Sequence, residues 1–167
     1  MTSEVPEAIE SAFDTHEAYE KADSGYRLTT TTFSGTVTAT PVNDWKHSYT
    51  LTVTVPSLDA ATTDDVGDTV SLDWFETLER RLEDAPKATR QSVDLAEYTV
   101  EQREDSVVVR YTFEDGSPAA AATIAKAFGE YVEGTYAEGI IPGYEYVGAA
   151  SELLSEASQS GERGTPL

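Results

Sequence analysis

The chain holds two histidines, His16 and His47, and no cysteine. Thiolate nucleophiles, disulfides and Cys-based zinc sites are therefore excluded. A Ser-His-Asp relay needs an imidazole within hydrogen-bond reach of a serine and oriented by a carboxylate. His16 falls on the apolar side of a helical pattern, where packing is the simpler role. His47 stands beside Trp45 and Lys46 at the start of a strand pattern. No G-x-S-x-G elbow, HExxH or G-x-G-x-x-G is present. Asp59, Asp64, Asp65 and Asp68, with Gly67, offer oxygen ligands for a hard cation. They lack the D-x-[DN]-x-[DN]-G spacing, and calcium takes roughly six to eight oxygens in a defined geometry. The expectation there is weak, non-specific cation binding. Acid–base catalysis needs two carboxylates whose surroundings push their pKa values apart. Among 31 acidic residues nothing selects a pair. No catalytic residue, metal ligand or cofactor is assigned.

Basic residues are scarce, so each is informative. Arg80 and Arg81 are adjacent in a helical pattern, with Glu76 four residues before Arg80 in the favourable order for an ion pair. The alternative is an anion-binding spot completed by Arg110 from a strand, because a guanidinium fork matches carboxylate or phosphate. Tyr131, Tyr136, Ile140, Ile141, Tyr144 and Tyr146 are interrupted by Gly134, Gly139 and Gly143. Such a run reads as core or oligomer interface first, and as a ligand loop second. The candidate ligand- or partner-binding residues are thus Trp45, His47, Arg80, Arg81, Arg110, Tyr136, Tyr144 and Tyr146.

The charge balance narrows the setting. Asp and Glu number 31 against 11 Lys and Arg, a formal net charge of −20. Lysine occurs only at Lys21, Lys46, Lys87 and Lys126. Such a charge opposes compaction in dilute solution. Disorder would follow if apolar residues were few, but they make up 39% of the chain and recur periodically. A folded protein in concentrated salt fits both facts, since at about 1 M the Debye length is only ~3 Å. Nucleic acid is not an expected partner, because no basic stripe is available to meet phosphates. No run approaches the ~20 apolar residues of a membrane span. The acidic N-terminus, MTSEVPEAIESAF, does not resemble a secretory signal. The expected compartment is the cytoplasm.

The elements that must position these residues follow from periodicity. Residues 3–22 predict a helix through Val5, Ile9, Phe13, His16 and Tyr19. Residues 26–41 and 47–55 alternate apolar with Thr and predict an antiparallel hairpin with Trp45 near its tip. Residues 57–70 predict a polar connection with a short strand near Val66–Val70. A helix capped by Ser71 or Asp73 and running to about Asp84 buries Trp74, Phe75, Leu78 and Leu82. Residues 87–95 link it to a second hairpin, with Tyr98, Val100 and Gln102 on one arm and Val107, Val109, Tyr111 and Phe113 on the other. Pro118 opens another helix with a broad apolar face, and a last one covers 147–158. The expected fold is α+β, an antiparallel sheet of four or five strands covered by helices, in the order α-β-β-(β)-α-β-β-α-α. Residues 1–158 form a single domain and 159–167 a flexible tail.

The segment VVVRYTFEDGSPAAAATIAKAFGEYVEGTYAEG, residues 107–139, resembles small acidic proteins of unknown function from haloarchaea. The element order is also similar to the secretion-chaperone-like α+β fold, in which subunits often pair. Neither resemblance implies an activity. The leading expectation is a non-catalytic module that buries apolar and aromatic surface against a second copy or a protein partner, a mode that salt strengthens. The alternative is a small-ligand binder or enzyme with a pocket between sheet and helices, lined by Tyr111, Phe128 and Tyr131.

Overall fold

The computed structural model describes the backbone of residues 7–90 and 93–163, and side chains as far as residue 156. Helix α1 (Glu7–Asp14) leads into strands β1 (Tyr19–Lys21), β2 (Tyr26–Leu28), β3 (Ser34–Asn43) and β4 (Lys46–Pro56). Helices α2 (Leu58–Ala61) and α3 (Asp68–Leu82) and a 3-10 turn (Ala85–Ala88) follow. Strands β5 (Glu97–Gln102) and β6 (Ser106–Asp115) and helices α4 (Pro118–Glu138) and α5 (Gly148–Arg163) complete the chain. Of the expected tail 159–167, residues 159–163 continue α5, and 164–167 lie outside the described residues.

All six strands form one antiparallel sheet in the order β1-β2-β3-β4-β6-β5. The two predicted hairpins are present, and the β4–β6 pairing joins them. Cross-strand register sets the two faces. Val37, Leu51, Tyr111 and Tyr98 stand in one row, and Ala39, Tyr49 and Phe113 in the next. These point to the side covered by helices. The alternating residues form the rows Thr36, Thr52, Arg110, Thr99 and Thr38, Thr50, Thr112 on the other side. A period of two therefore sends aromatics to the core and threonines to solvent.

Helix α4 lies against the sheet and meets α1, α3 and α5. Its start is readable in sequence: Ser117 accepts a hydrogen bond from Ala120 N (3.1 Å) and Pro118 takes the first turn. Ala121, Ala122, Ile124, Ala125, Phe128 and Val132 are buried against the strands. Phe128 touches both Tyr111 (centroids 5.1 Å apart) and Phe113 (5.6 Å). The pocket expected among Tyr111, Phe128 and Tyr131 is thus closed by aromatic packing.

Three local expectations change. The first helix is shorter than 3–22, and residues 1–6 lie outside the described ones. The chain turns after Asp14, with Thr15 Oγ1 donating to Ser11 O (2.7 Å) and His16 Nδ1 accepting from Ala18 N (3.2 Å). Tyr19 then begins a strand, and its hydroxyl donates to Ala122 O (2.7 Å). Tyr19 fits helical spacing because the turn restores the same inward direction. The run 26–41 folds back on itself as β2 and β3, so one predicted strand is two. Gly25 precedes β2 at φ +87°, with Val37 O only 2.1 Å from where a Cβ would stand. No strand forms at Val66–Val70. Gly67 caps α3 instead, and Asp68 favours its positive end one turn earlier than expected.

Candidate functional site

Tyrosine hydroxyls fasten the helices to the sheet. Tyr111 donates to Leu82 O (2.7 Å), Tyr131 to Arg81 O (2.8 Å), and Tyr98 to Glu79 O. Three carbonyls at the C-terminal end of α3 are thereby satisfied by side chains, in a position where helices leave acceptors unpaired. Burial pushes the Tyr98 and Tyr111 hydroxyls well above the usual tyrosine range, so they remain protonated donors. The last turn of α3, including Arg81, is held in place.

Beside α3 lies a groove of about 330 Å³. Helix α3 supplies Val70, Trp74 and Leu78 as one apolar wall. Ile141 and Gly139 supply the other, from the segment after α4. Asp73, Thr77 and Arg81 from α3 and Thr135 from α4 are its polar members. The α3 residues recur at i, i+3, i+4, i+7, i+8 and i+11, which places them on one side of the helix. Trp74 rests edge-on against Tyr136, with centroids 5.7 Å apart. Tyr136 is core: it is 1% exposed and donates to Pro56 O (3.0 Å).

The far wall is pinned. Tyr146 Oη accepts from Ile141 N and donates to Ile141 O, both at 3.0 Å. Glu145 N donates to Asp64 Oδ2 (2.6 Å), and Thr62 Oγ1 donates to Glu145 O (2.8 Å). Val147 N reaches Ala61 O (2.8 Å). The glycine-interrupted segment is therefore a braced wall rather than a swinging loop. Asp64 of the acidic stretch is used structurally, and among the described residues no group of three or more His, Asp or Glu side chains gathers to hold a metal.

The polar groups of the groove are unused. Among the described residues Arg81 forms no ion pair, and neither the Trp74 indole N–H nor the Thr77 and Thr135 hydroxyls have a hydrogen-bond partner. Thr135 is 94% buried all the same, being 6% exposed. Arg81 is exposed and carries no ion pair in a chain with 31 acidic residues. Arg80 is unpaired too, but it stands among Glu76, Glu79 and Glu83, whereas Asp73 is the one carboxylate among the described residues of the Arg81 groove.

The predicted residues are scattered. Arg81 lines the groove. Arg80 faces a separate cleft with Glu76, Glu79 and Glu83, and the expected Glu76–Arg80 ion pair does not form among the described residues. Arg110 lies on the open sheet face and pairs with Glu101 (3.6 Å). The expected cluster of Arg80, Arg81 and Arg110 is thus split across three surfaces. Trp45, 71% exposed, and His47 occupy the β3–β4 hairpin end, where His47 is opposite Asp115. Tyr146 positions the groove wall, and Tyr144 is half-buried in the same segment. Gly139 is one of the glycines read as a possible ligand loop, whereas Trp74, Thr77 and Thr135 are not among the candidate binding residues. Trp74 and Leu78 read as a core stripe, which they also are, and Thr135 carried no signal beyond a polar residue inside an apolar helical face.

The chain matches, over residues 14–156, the model of a family of unknown function, DUF5813. The protein belongs to this family. The matched span contains every residue that lines the groove, so the site lies wholly within the DUF5813 region. No curated protein and no solved structure matches the chain.

Proposed function

We propose that this DUF5813 protein is a non-catalytic binding module of a salt-rich cytoplasm, and that the groove beside α3 is where it binds. The carrying observation is a preformed apolar groove whose guanidinium, indole N–H and two hydroxyls have no partner among the described residues. Small-molecule sites typically combine apolar walls with a few such polar groups. Its only carboxylate is Asp73, and it holds no histidine, serine or lysine. Neither the Thr77 nor the Thr135 hydroxyl is hydrogen-bonded to a base among the described residues, so neither is activated as a nucleophile, which favours binding over catalysis. A panel of small acids, amines and neutral amides screened by amide NMR in concentrated KCl tests this. Shifts should gather at α3 and Thr135–Ile141. A panel that leaves those signals still while the chain is folded contradicts the reading.

The salt-rich setting is supported by the −20 charge. Among the described residues no helix is long and apolar enough to cross a membrane. Thermal unfolding should rise steeply with KCl, because screening removes self-repulsion. A melting temperature unchanged between dilute buffer and concentrated KCl would refute an adaptation to salt. A second reading is favoured by Trp45, which stands 71% exposed beside exposed Val42. It holds that the hairpin end meets a second copy or a protein partner. Light scattering in concentrated KCl should then show a dimer that W45A dissociates; a strict monomer removes the self-association form.

A further inference from the structure

We propose that the groove beside α3 takes a small monoanionic carboxylate with an aromatic or branched apolar body. This rests on the groove being a binding site and names its ligand class. The unpaired groups are chiefly donors: the Arg81 fork, the Trp74 indole N–H, and the Thr77 and Thr135 hydroxyls. Thr135 provides the second, independent sign, being 94% buried yet without a partner. A planar guanidinium matches a carboxylate through two parallel hydrogen bonds. The groove holds one cation, and the whole chain carries −20, so a single negative charge suits it better than a phosphate dianion. Asp73 is eight residues from Arg81, roughly 12 Å along the helix axis. In concentrated salt it is several screening lengths away and does not repel an anion held at Arg81.

The remaining wall of Val70, Trp74, Leu78 and Ile141 requires an apolar body. At ~30 Å³ per water the space equals about eleven water molecules, which fits a body of one ring and a short stem. Rigidity is provided by the bonds from Tyr98, Tyr111 and Tyr131 to carbonyls Glu79, Leu82 and Arg81. They brace the backbone that carries Arg81, so the ordering left for the ligand to impose is chiefly that of the exposed Arg81 side chain.

The probes are 3-phenylpropionate and its uncharged isostere 3-phenylpropionamide. Trp45 and Trp74 are the only tryptophans, so in W45F the single indole N–H signal reports Trp74. Titration in concentrated KCl should move that signal with the carboxylate. The amide, and the carboxylate against W45F/R81Q, should each bind at least about tenfold more weakly, the loss expected for a charge-assisted pair. G139L should abolish binding without unfolding. Gly139 has φ −87°, and its added Cβ meets nothing nearer than 3.6 Å, with Trp74 Nε1 at 3.9 Å. An amide that binds as tightly as the carboxylate overturns the ligand class and leaves the binding site standing. If neither compound moves the Trp74 indole of the folded chain, the ligand class is overturned, and the wider panel of acids, amines and amides decides whether the groove binds at all. The amide comparison needs no substitution at Arg81 and so decides even if R81Q does not fold.

Discussion

The two faces of the sheet share strands and differ in everything else. On the covered face Tyr49, Leu51, Val53, Val107, Val109, Tyr111 and Phe113 are at most 2% exposed and packed under α4. On the open face the threonine rows stay half-buried or exposed, and only Val108 is closed off. Thr50 and Thr112 hydroxyls bond each other at 3.0 Å there, and Arg110 pairs with Glu101. These open-face groups pair with one another across strands and meet no helix. On the covered side the Tyr19, Tyr98, Tyr111 and Tyr131 hydroxyls are spent on helix carbonyls, and the groove at the edge of that packing is left with donors unmatched. Tyr26 Oη and Tyr49 Oη are also unmatched, but they are sealed in the core. The groove's donors are unmatched where a ligand can reach them, and such groups are the ones to suspect of meeting something else.

The contrast can be broken most severely at Phe128. F128A should cost about 3–5 kcal/mol in chemical denaturation, whereas T52A on the open face should stay within ~0.5 kcal/mol. Equal losses would show that helices do not define the core. Tyrosine hydroxyls sharpen the comparison within the covered face. Tyr111 Oη has a partner, while Tyr49 Oη is buried with none. Y111F should lose about 1–1.5 kcal/mol, and Y49F should be neutral or stabilising, since it removes an unpaired polar atom. The smallest effect lies where α4 meets the β2–β3 turn, on Glu133. This half-buried carboxyl accepts from Phe33 N (2.6 Å). Burial first, then repulsion from Glu156 and Glu130, raises its pKa. A raised carboxyl pKa favours the protonated native state. That contribution is fully present below the unfolded value near 4.5 and is lost as pH rises through the folded value. E133Q keeps an acceptor for Phe33 N, so it should melt slightly above wild type at neutral pH and converge with it in acid. A gap that widens in acid would reverse the sign.

Much of the architecture was legible because period-two alternation and helix caps are local. The hairpin arms around Trp45 and around Glu104-Asp105, and the start of α4 at Ser117-Pro118, follow from neighbouring residues alone. What was not legible depended on long-range partners. Tyr19 satisfies helical spacing, and only its pairing with Leu28 of β2 shows it on a strand, while its hydroxyl reaches Ala122 O far along the chain. The fold-back between Leu28 and Ser34 falls on four consecutive threonines and moves the inward positions from Tyr26 and Leu28 to Phe33 and Val37, but it carries no Gly or Pro to mark a turn in a strand-favouring run. The groove escaped for a related reason. Trp74 and Leu78 are buried on one side by Tyr136 and its neighbours, so a core pattern and a groove wall have the same spacing. Arg81 was selected because bases are scarce, but Arg80 and Arg110 shared that signal and face other surfaces.

A crystal structure of the wild-type chain grown in concentrated KCl with 3-phenylpropionate would settle what the groove does. The expected density is a ring against Trp74, Leu78 and Ile141, with its carboxylate across the Arg81 guanidinium and within hydrogen-bond reach of Thr135. An empty groove at saturating probe, or a groove filled by the chain's own side chains with Arg81 turned to a neighbouring carboxylate, would contradict it.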